Sequence, residues 1–381
     1  MSTRTRTSQP DARAEALVAA YERAGYRRLA PPILQPAEPF LDLSGEDIRK
    51  RMYLTTDGEG RELCLRPDLT IPVSCDYLAS PAAGSSQGFC YLGPVFRDRG
   101  DRPAEFLQAG IESFGRQDKA AADAEMLALG LDALSHYGIA KPEIRIGDVG
   151  LFSALIAALD LAPAWKRRLI KDFNHKSSLA HDLDLLTLSA ASQRPEYQGV
   201  LAALAGSDRK AARALVTDLL SIAGITAVGG RSVAEIAERF LEQAALGAST
   251  SLPRETRALI ERFLAVSGDP DEAAAELRAL AADAKLGLSA ALDLFESRTG
   301  FLAARGFNVG SIRFSTAFGR GLDYYTGFVF ELHDAASNAN GPLVAGGRYD
   351  ELLTRLGARS SIPAVGFAVW IERVAAAGVT R

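Results

Sequence analysis

The spacing of hydrophobic and polar positions at the start of the chain predicts one helix followed by a hairpin. The Ala/Leu/Glu/Arg stretch that follows Asp11 has helical spacing, and Asp11 as N-cap with Gly25 as the stop predicts a first helix. From Met52 to Thr70 the pattern is strand-like, and Asp57–Gly60 is a tight-turn signal in its middle. We therefore expect two short paired strands there.

Longer elements follow in the next part of the chain. Two apolar runs, Phe89–Phe96 and Phe106–Phe114, are joined by a polar loop and predict neighbouring strands. A helix is predicted from Asp118 to His136, where leucines recur on one stripe and Gly138 is the stop. Glu143–Gly147 alternates as a further short strand.

The character of the chain changes between residues 151 and 304. This stretch is rich in Ala, Leu, Arg, Glu and Asp with helical spacing, which predicts a mostly helical insert. Strands return beyond it, at Ser311–Phe318, Asp323–His333 and Pro363–Val369. The short connections between strands favour antiparallel pairing. The sequence therefore predicts an α+β fold in which 1–150 and 305–381 form one domain around the insert 151–304.

The composition excludes several classes of protein. The chain has 381 residues, of which 48% are hydrophobic and 24% charged, as in an ordinary globular protein of two or three structural units. This excludes a disordered chain, a collagen-like repeat and a disulfide scaffold. A net charge of −4 and a pI near 5.8 give the whole chain no attraction to nucleic acid or to an anionic membrane.

Cysteines, histidines and glycines give no sign of a metal or nucleotide cofactor. Three cysteines without a CxxC pair favour free thiols in a reducing compartment. The four histidines are scattered, and the glycines around Gly319–Gly321 complete neither a P-loop nor a dinucleotide-binding fingerprint. Because there is no apolar run of membrane-spanning length and no signal sequence, we expect a cytoplasmic protein without a metal, a cofactor or a membrane partner.

Four polar segments interrupt otherwise apolar strands and mark a candidate binding site. They are Leu65–Thr70, Tyr91–Glu112, Gly319–Gly327 and Ala345–Asp350. Gln108 and Glu112 are an even number of residues apart, so in a strand both side chains point to one face. A carboxylate and an amide beside two tyrosines and an arginine suit a small zwitterion, whose ammonium or imidazole meets carboxylates and whose carboxylate meets arginine. The alternative, from composition alone, is a structural network of buried polar groups.

These segments resemble the catalytic core of histidyl-tRNA synthetase, a class II aminoacyl-tRNA synthetase. The similar segments are Pro32–Leu34 for motif 1, Tyr91–Glu112 for motif 2, Pro363–Arg373 for motif 3, and Arg320–Tyr325 and Ala345–Asp350 for the two histidine-specific signatures. The resemblance covers the α+β parts of the chain and implies an antiparallel sheet flanked by helices that dimerises through motif 1. It also implies that eight residues hold or activate histidine: Asp68, Thr70, Arg97, Gln108, Glu112, Arg320, Tyr324 and Tyr325.

Three departures from that family indicate a changed function. Only seven residues, Asp98–Ala104, separate Arg97 from Glu105, and this loop is too short for the glutamate and arginine that address ATP in the synthetases. Trp370 stands at a motif 3 glycine, where the backbone of the family approaches the nucleotide, so we expect its indole to occlude the nucleotide pocket. The chain stops eight residues after Arg373, from which we expect no anticodon-binding domain and no binding of tRNA.

The combination resembles the regulatory subunits of ATP phosphoribosyltransferase, a family derived from the synthetase, and Asp68 in place of a glutamate also fits that family. The resemblance implies a non-catalytic subunit, without aminoacylation activity, that is required for the first step of histidine biosynthesis and for its feedback control. The implied partner is the short-form catalytic subunit, the effector is L-histidine, and the assembly is a homodimer within a hetero-oligomer. Two alternatives stay open: a truncated histidyl-tRNA synthetase or histidyl-adenylate-forming ligase, and a binding module for tRNA or another protein.

Overall fold

A mixed sheet of nine strands forms the centre of the first of two compact units, which comprises Met1–Ala154 and Phe263–Arg381. The computed structural model describes residues 12–173, 176–187, 252–335 and 341–379, together with 214–215, 217–219, 222, 227–228 and 231–232. The described strands, numbered in chain order, are β1 (Arg27–Leu29), β2 (Leu34–Pro36), β3 (Leu54–Thr56), β4 (Glu62–Leu65), β5 (Gln87–Phe96), β6 (Glu105–Phe114), β7 (Glu143–Asp148), β8 (Ala227–Val228), β9 (Arg231–Ser232), β10 (Ser267–Gly268), β11 (Arg313–Ser315), β12 (Phe328–His333), β13 (Val344–Arg348) and β14 (Ala364–Trp370).

The large sheet is mixed, which corrects the expectation of an antiparallel one. Its strand order is β1-β5-β6-β14-β13-β12-β7-β11-β10, and β2-β4-β3 form a small second sheet. Six of the eight neighbouring pairs in the large sheet are antiparallel, whereas β1 with β5 and β7 with β11 run parallel. Each parallel pair joins strands that are distant in the chain, Arg27 with Phe89 and Arg145 with Arg313, so the argument from short connections does not apply to them.

Helices Ala12–Arg23 and Lys119–His136 pack against one face of this sheet. The described helices are α1 (Ala12–Arg23), α2 (Glu38–Leu43), α3 (Glu46–Arg49), α4 (Thr70–Ala79), α5 (Lys119–His136), α6 (Val149–Ala158), α7 (Pro163–Asp172), α8 (Lys176–Thr187), α9 (Arg254–Ala265), α10 (Pro270–Asp283), α11 (Ser289–Ala304), α12 (Leu352–Arg355) and α13 (Ile371–Val379). Tyr21 of α1 packs edge-on against Phe367 of β14, with ring centroids 6.1 Å apart, and α5 buries Leu127 and Leu134. Because side chains alternate along a strand, Gly366 and Ala368 face away from these helices.

Most elements expected in the first 150 residues are confirmed. The predicted hairpin is β3 and β4, and Asp57 fixes its turn by accepting the N–H groups of Glu59 and Arg61 at 2.9 Å each. The predicted long helix is α5, and Gly138 just beyond it has a φ of +81°, a left-handed conformation that favours glycine. Thr70 begins α4 rather than ending a strand. Asp11, the expected N-cap of α1, lies outside the described residues.

The strand predicted from Asp323 to His333 is wrong in its first half. β12 begins only at Phe328, and residues 319–327, here called the tyrosine loop, have no strand partner. The end of this loop is bonded elsewhere: Thr326 donates its N–H to the carbonyl of Arg348 at 2.9 Å, and Gly327 accepts from the N–H of Val149 at 2.9 Å. The strand predicted at Ser311–Phe318 is likewise shorter and consists of β11 alone.

Leu155–Arg262 form the second compact unit. Its helices α7 and α8 are joined by an ion pair between Arg168 Nε and Asp182 Oδ2 at 2.7 Å. The insert predicted at 151–304 differs at its end, because α10 and α11 belong to the first unit. Of that prediction, residues 188–213 and 233–251 lie outside the described residues. No helix in the described ranges combines the length and the apolar character that a membrane crossing requires.

Candidate functional site

A small pocket lies on the sheet face opposite α1 and α5, and it brings together most of the residues singled out in the sequence. Seven of the eight expected ligand-binding residues line it, together with Trp370; the seven are Asp68, Thr70, Arg97, Gln108, Arg320, Tyr324 and Tyr325. The eighth, Glu112, lies one layer deeper and contacts Thr70. The four polar segments therefore meet at one place, as their chemistry suggests.

The strands β6 and β14 form the floor of the pocket. Gln108 lies opposite Trp370 and Glu112 lies opposite Gly366 in the antiparallel register of these two strands. Gln108 and Glu112 are therefore on one face, as their even spacing predicts. Both are almost fully buried, with exposed fractions of 2% and 1%.

Glu112 is held by three hydroxyl groups that all donate to its carboxylate. Thr70 Oγ1 lies 2.7 Å and Tyr91 Oη 3.3 Å from Oε1, and Tyr349 Oη donates to Oε2. Burial raises the pKa of Glu112 to about 8, although these hydrogen bonds act in the opposite direction. The protonation of this carboxyl is therefore sensitive to pH near neutrality.

Two glycines allow large side chains to lie flat on the sheet. A Cβ atom added at Gly366 would overlap the carboxylate of Glu112, and one added at Gly347 would lie 3.0 Å from the ring of Tyr325. Any larger residue at either position would displace a group that forms the pocket. Close packing against Gly366 and Gly347 therefore leaves no room for a side chain at either position.

Asp68 lines the pocket, and only one of its two carboxylate oxygens has a hydrogen-bond partner among the described residues. Its Oδ1 accepts the N–H of Ile71 at 3.2 Å, at the start of α4, whereas its buried Oδ2 has no hydrogen-bond partner among the described residues. Burial raises the pKa of Asp68, and the positive charge of Arg97 opposes that effect. An unpaired buried carboxylate oxygen is costly, so this atom suits a cationic group of a ligand.

Arg320 and Tyr325 form the opposite wall, on the tyrosine loop. Arg320 Nη1 donates to Tyr325 Oη at 2.7 Å, and its Nε donates to Glu331 Oε1 at 3.3 Å. His333 Nε2 lies 2.9 Å from Glu331 Oε2. Burial alone would raise the pKa of Glu331, but the hydrogen bond with His333 and the charge of Arg320 outweigh it and lower that pKa. Arg320 is thereby held beside the pocket with a fixed positive charge.

Trp370 stands at the end of β14, where the pocket meets a group of arginines. Its side chain is 8% exposed, and the guanidinium of Arg373 lies 5.0 Å from its ring centroid. Burial, together with the positive charges of Arg99, Arg102 and Arg97, lowers the pKa of Arg373 to about 10. This end of the site therefore combines an indole with an excess of positive charge.

Sequence reasoning did not assign a site role to Tyr349 or Tyr91. Tyr349 belongs to the segment Ala345–Asp350, and its ring packs edge-on against that of Tyr324 with centroids 5.7 Å apart. The position of Tyr349 follows from the alternation of side chains along β13. Arg348, the last residue of this strand, points to the helical face and bonds Asp123, so the next residue points toward the pocket. Tyr91 begins the polar segment Tyr91–Glu112 but has no assigned role in the sequence analysis, and the structure shows its hydroxyl 3.3 Å from Glu112 Oε1.

The arrangement has the chemistry of an amino-acid site. One carboxylate, one amide, two arginines and three tyrosines line the pocket, and the carboxyl of Glu112 lies directly beneath it. Across the part of the chain that the structure describes, no three His, Cys, Asp or Glu side chains are grouped to hold a metal ion. The site can bind a small zwitterion by opposite charges and hydrogen bonds.

Comparisons with known proteins agree with this fold. The family model described as histidyl-tRNA synthetase matches residues 5–238 and 213–374. Curated proteins named ATP phosphoribosyltransferase regulatory subunit, from Brucella canis and Brucella suis, are each 44% identical over 352 residues, which is 91% of this chain and 91% of the relative.

Two solved structures show the same architecture. An ATP phosphoribosyltransferase regulatory subunit/histidyl-tRNA synthetase from Bacillus halodurans superimposes with a TM-score of 0.63 at 22% identity, covering 96% of this chain and 78% of that one. The histidyl-tRNA synthetase of Nostoc sp. PCC 7120 gives a TM-score of 0.61 at 17% identity, covering 97% of this chain and 71% of that one. At these identities the likeness establishes a histidyl-tRNA synthetase-like α+β fold.

Proposed function

The chain belongs to the ATP phosphoribosyltransferase regulatory subunits, a family with the histidyl-tRNA synthetase fold, and from this premise we propose that it is a non-catalytic, histidine-binding subunit. It serves histidine biosynthesis as a regulatory subunit of that transferase. In our proposal it is required for the first step of the pathway and transmits feedback control by L-histidine. The observation that carries the proposal is a pocket lined by seven of the eight expected residues, in which Asp68 Oδ2 is buried without a hydrogen-bond partner among the described residues.

Histidine fits the pocket by charge. We place its ammonium group at Asp68, beside Gln108, because the free carboxylate oxygen lies there. Its imidazole is directed toward the layer formed by Glu112 and the tyrosines, and its carboxylate toward the arginines of the pocket. All eight residues expected from the sequence then act in binding, either in contact with histidine or, like Glu112, from directly beneath it.

Trp370 and the short loop Asp98–Ala104 support the absence of catalysis. In the proposal the indole fills the space that a nucleotide base would need, so the protein neither binds ATP productively nor forms histidyl-adenylate. The loop supplies no glutamate and arginine pair of the kind that addresses ATP in the synthetases. We therefore assign no catalytic residue, and we expect no binding of tRNA.

The proposed partner is the short-form catalytic subunit, bound by a homodimer of this chain. Four large apolar side chains near the predicted motif 1 are exposed by 39–48%: Ile33, Leu34, Tyr53 and Leu54. A group of this kind on β2, β3 and their flanks is suited to contact with a second copy. The cytoplasm is the proposed location, since the free cysteines Cys64, Cys75 and Cys90 fit a reducing compartment.

Feedback control follows from linkage. Histidine inhibits the complex only if it binds the inhibited state more tightly than the active one, because a ligand shifts an equilibrium by its difference in affinity. The test is a reconstituted assay of the catalytic subunit with and without this chain, at increasing histidine. We expect activity and its inhibition by histidine to require this chain. Full activity and full inhibition by the catalytic subunit alone would refute the proposal.

A second candidate function is a ligase that forms histidyl-adenylate. It is favoured by the positive charge of Arg97 and Arg320 in the pocket and of Arg373 beside it, which could stabilise a phosphoryl group. Histidine-dependent exchange between ATP and pyrophosphate distinguishes the two. Exchange above background by the purified chain would establish the ligase and exclude the regulatory proposal in its non-catalytic form.

A further inference from the structure

A buried ionic network lies behind the pocket, on the helical face of the sheet. Its centre is Asp123 of α5, which accepts from Arg298 Nε at 2.9 Å through Oδ2 and from Arg348 Nε at 2.8 Å through Oδ1. Arg298 lies on α11, and Arg348 ends β13. One carboxylate thus joins a helix of the outer layer to a strand of the sheet.

The network continues from both arginines. Arg298 Nη1 donates to Asp148 Oδ2 at 2.8 Å, at the end of β7, and Arg348 Nη1 donates to Asp350 Oδ1 at 2.9 Å. Asp350 also pairs with Lys119 Nζ at 2.7 Å. Three positive and three negative side chains are therefore connected, and their formal charges cancel.

Stability alone is a poor explanation for this network. Asp123, Arg298 and Arg348 are exposed by only 0%, 1% and 3%, and Arg298 Nη2 has no hydrogen-bond partner within the described ranges. Burying charges costs several kcal/mol per ion before pairing, and well-packed apolar side chains often do as well or better. A buried ionic network is better understood as a device that fixes geometry.

The network is bonded directly to two walls of the pocket. Arg348 is followed by Tyr349, whose hydroxyl donates to Glu112. Thr326 forms two hydrogen bonds with this segment. Its N–H donates to the carbonyl of Arg348 at 2.9 Å, and its Oγ1 accepts the N–H of Asp350 at 3.0 Å. The end of the tyrosine loop is thus attached to Arg348 and Asp350, two members of the network.

The second attachment runs through Asp148. Its Oδ1 accepts the N–H of Gly150 at 2.8 Å, and the intervening Val149 donates its N–H to the carbonyl of Gly327, the last residue of the tyrosine loop. Arg298 bonds Asp148 directly and is linked to Arg348 through their shared partner Asp123, so within the described network it connects the two attachments.

We propose that Arg298 is a positioning residue of the ligand pocket: by fixing Asp123 and Asp148 it sets the positions of Tyr349 and of the tyrosine loop. Arg298 does not line the pocket and acts only through these partners. The identity of the ligand as histidine rests on the proposed function, whereas the positioning of the loop does not.

The experiment compares Arg298→Met with Arg278→Met in the full chain. Arg278 is a matched control, because it is a half-exposed arginine of α10 whose Nε also pairs with α11, at Glu296, at 2.6 Å. Hydrogen exchange of peptides covering 319–327 and 344–350 reports positioning without any ligand. Calorimetric titration with L-histidine reports binding. Arg298→Lys, which keeps the charge but not the two-carboxylate geometry, and Asp148→Asn serve where Arg298→Met does not fold.

We expect Arg298→Met to increase exchange in both peptides and to weaken histidine binding about tenfold, with Arg298→Lys between it and the wild type. Arg278→Met should match the wild type in both measurements. Unchanged exchange of the tyrosine loop in folded Arg298→Met or Arg298→Lys overturns the proposal, whatever their thermal stability. If the wild type itself fails to bind histidine, the proposed function is refuted while the exchange result still decides the role of Arg298.

Discussion

Replacing Asp68 by asparagine should separate ligand affinity from stability. In the pocket, Oδ1 of Asp68 accepts the N–H of Ile71, and the buried Oδ2 is without a hydrogen-bond partner among the described residues. Asparagine keeps an acceptor for Ile71 but places an NH2 group where a ligand's ammonium should lie. Burial raises the pKa of Asp68 although the charge of Arg97 opposes this effect, so the site disfavours the ionised carboxylate relative to water.

Asp68→Asn should weaken histidine binding without lowering the free energy of unfolding. A hydrogen bond to a charged group contributes about 1.5–3 kcal/mol, which corresponds to a loss of histidine affinity of about 10- to 150-fold. The free energy of unfolding of the ligand-free protein should stay the same or rise, since Asp68→Asn removes a buried charge with an unpaired oxygen.

Calorimetric titration with L-histidine and urea denaturation of the same samples measure both quantities. Asp76→Asn is the matched control, because Asp76 lies on the same helix, α4, but is exposed and does not line the pocket. It should leave histidine affinity unchanged. Wild-type affinity in Asp68→Asn would refute the assignment of the ammonium group to this carboxylate. A large loss of stability would show that the carboxylate serves the fold instead.

Three further outcomes are expected. The pKa of Glu112 is raised from 4.5 to about 8, so between these pH values the folded protein binds more protons than the unfolded one. Its free energy of unfolding should therefore fall as the pH rises through this interval. Urea denaturation at a series of pH values should show a weaker pH dependence for Glu112→Gln, and an unchanged slope would contradict this prediction. Trp370→Gly should cost ~3–5 kcal/mol of stability and create measurable binding of magnesium-ATP in calorimetry, which the wild type should lack; tight binding of ATP by the wild type would refute occlusion by the indole. Leu34→Asp should convert a dimer into a monomer in sedimentation velocity, whereas the exposed Phe301, 43% accessible on α11, should tolerate Phe301→Asp without a change of mass.

The part of the site that lies on regular strands could be predicted from the sequence. Gln108 and Glu112 share a face because β6 is a continuous strand, and period two is sufficient to predict their orientation. Identifying all eight candidate residues required the resemblance to a known family, since the polar segments alone are equally consistent with a buried structural network. Their role in binding histidine remains a prediction.

The parts that were predicted wrongly depend on long-range contacts. Tyr324 and Tyr325 precede the apolar Phe328–Phe330 and so resemble the start of a strand. The backbone at 326–327 instead forms hydrogen bonds with the carbonyl of Arg348 and the N–H of Val149, so the strand begins only after it. The parallel pairing of β1 with β5 likewise cannot be predicted from the local spacing of hydrophobic residues. The end of the insert was misplaced because α10 and α11 have the same composition as the residues before them, and only their packing assigns them to the first unit.

The bare backbone beneath Glu112 and Tyr325 also constrains how this protein can change over time. Every amino-acid replacement adds a Cβ atom, which at Gly366 overlaps the carboxylate of Glu112 and at Gly347 meets the carbonyl of Phe328 and the ring of Tyr325. If the proposed histidine site is correct, a single mutation at either position is enough to impair it, and no substitution there enlarges the cavity for a bulkier ligand. A variant with altered effector preference has to arise at the walls instead, where side chains such as Tyr324 can be exchanged for smaller ones.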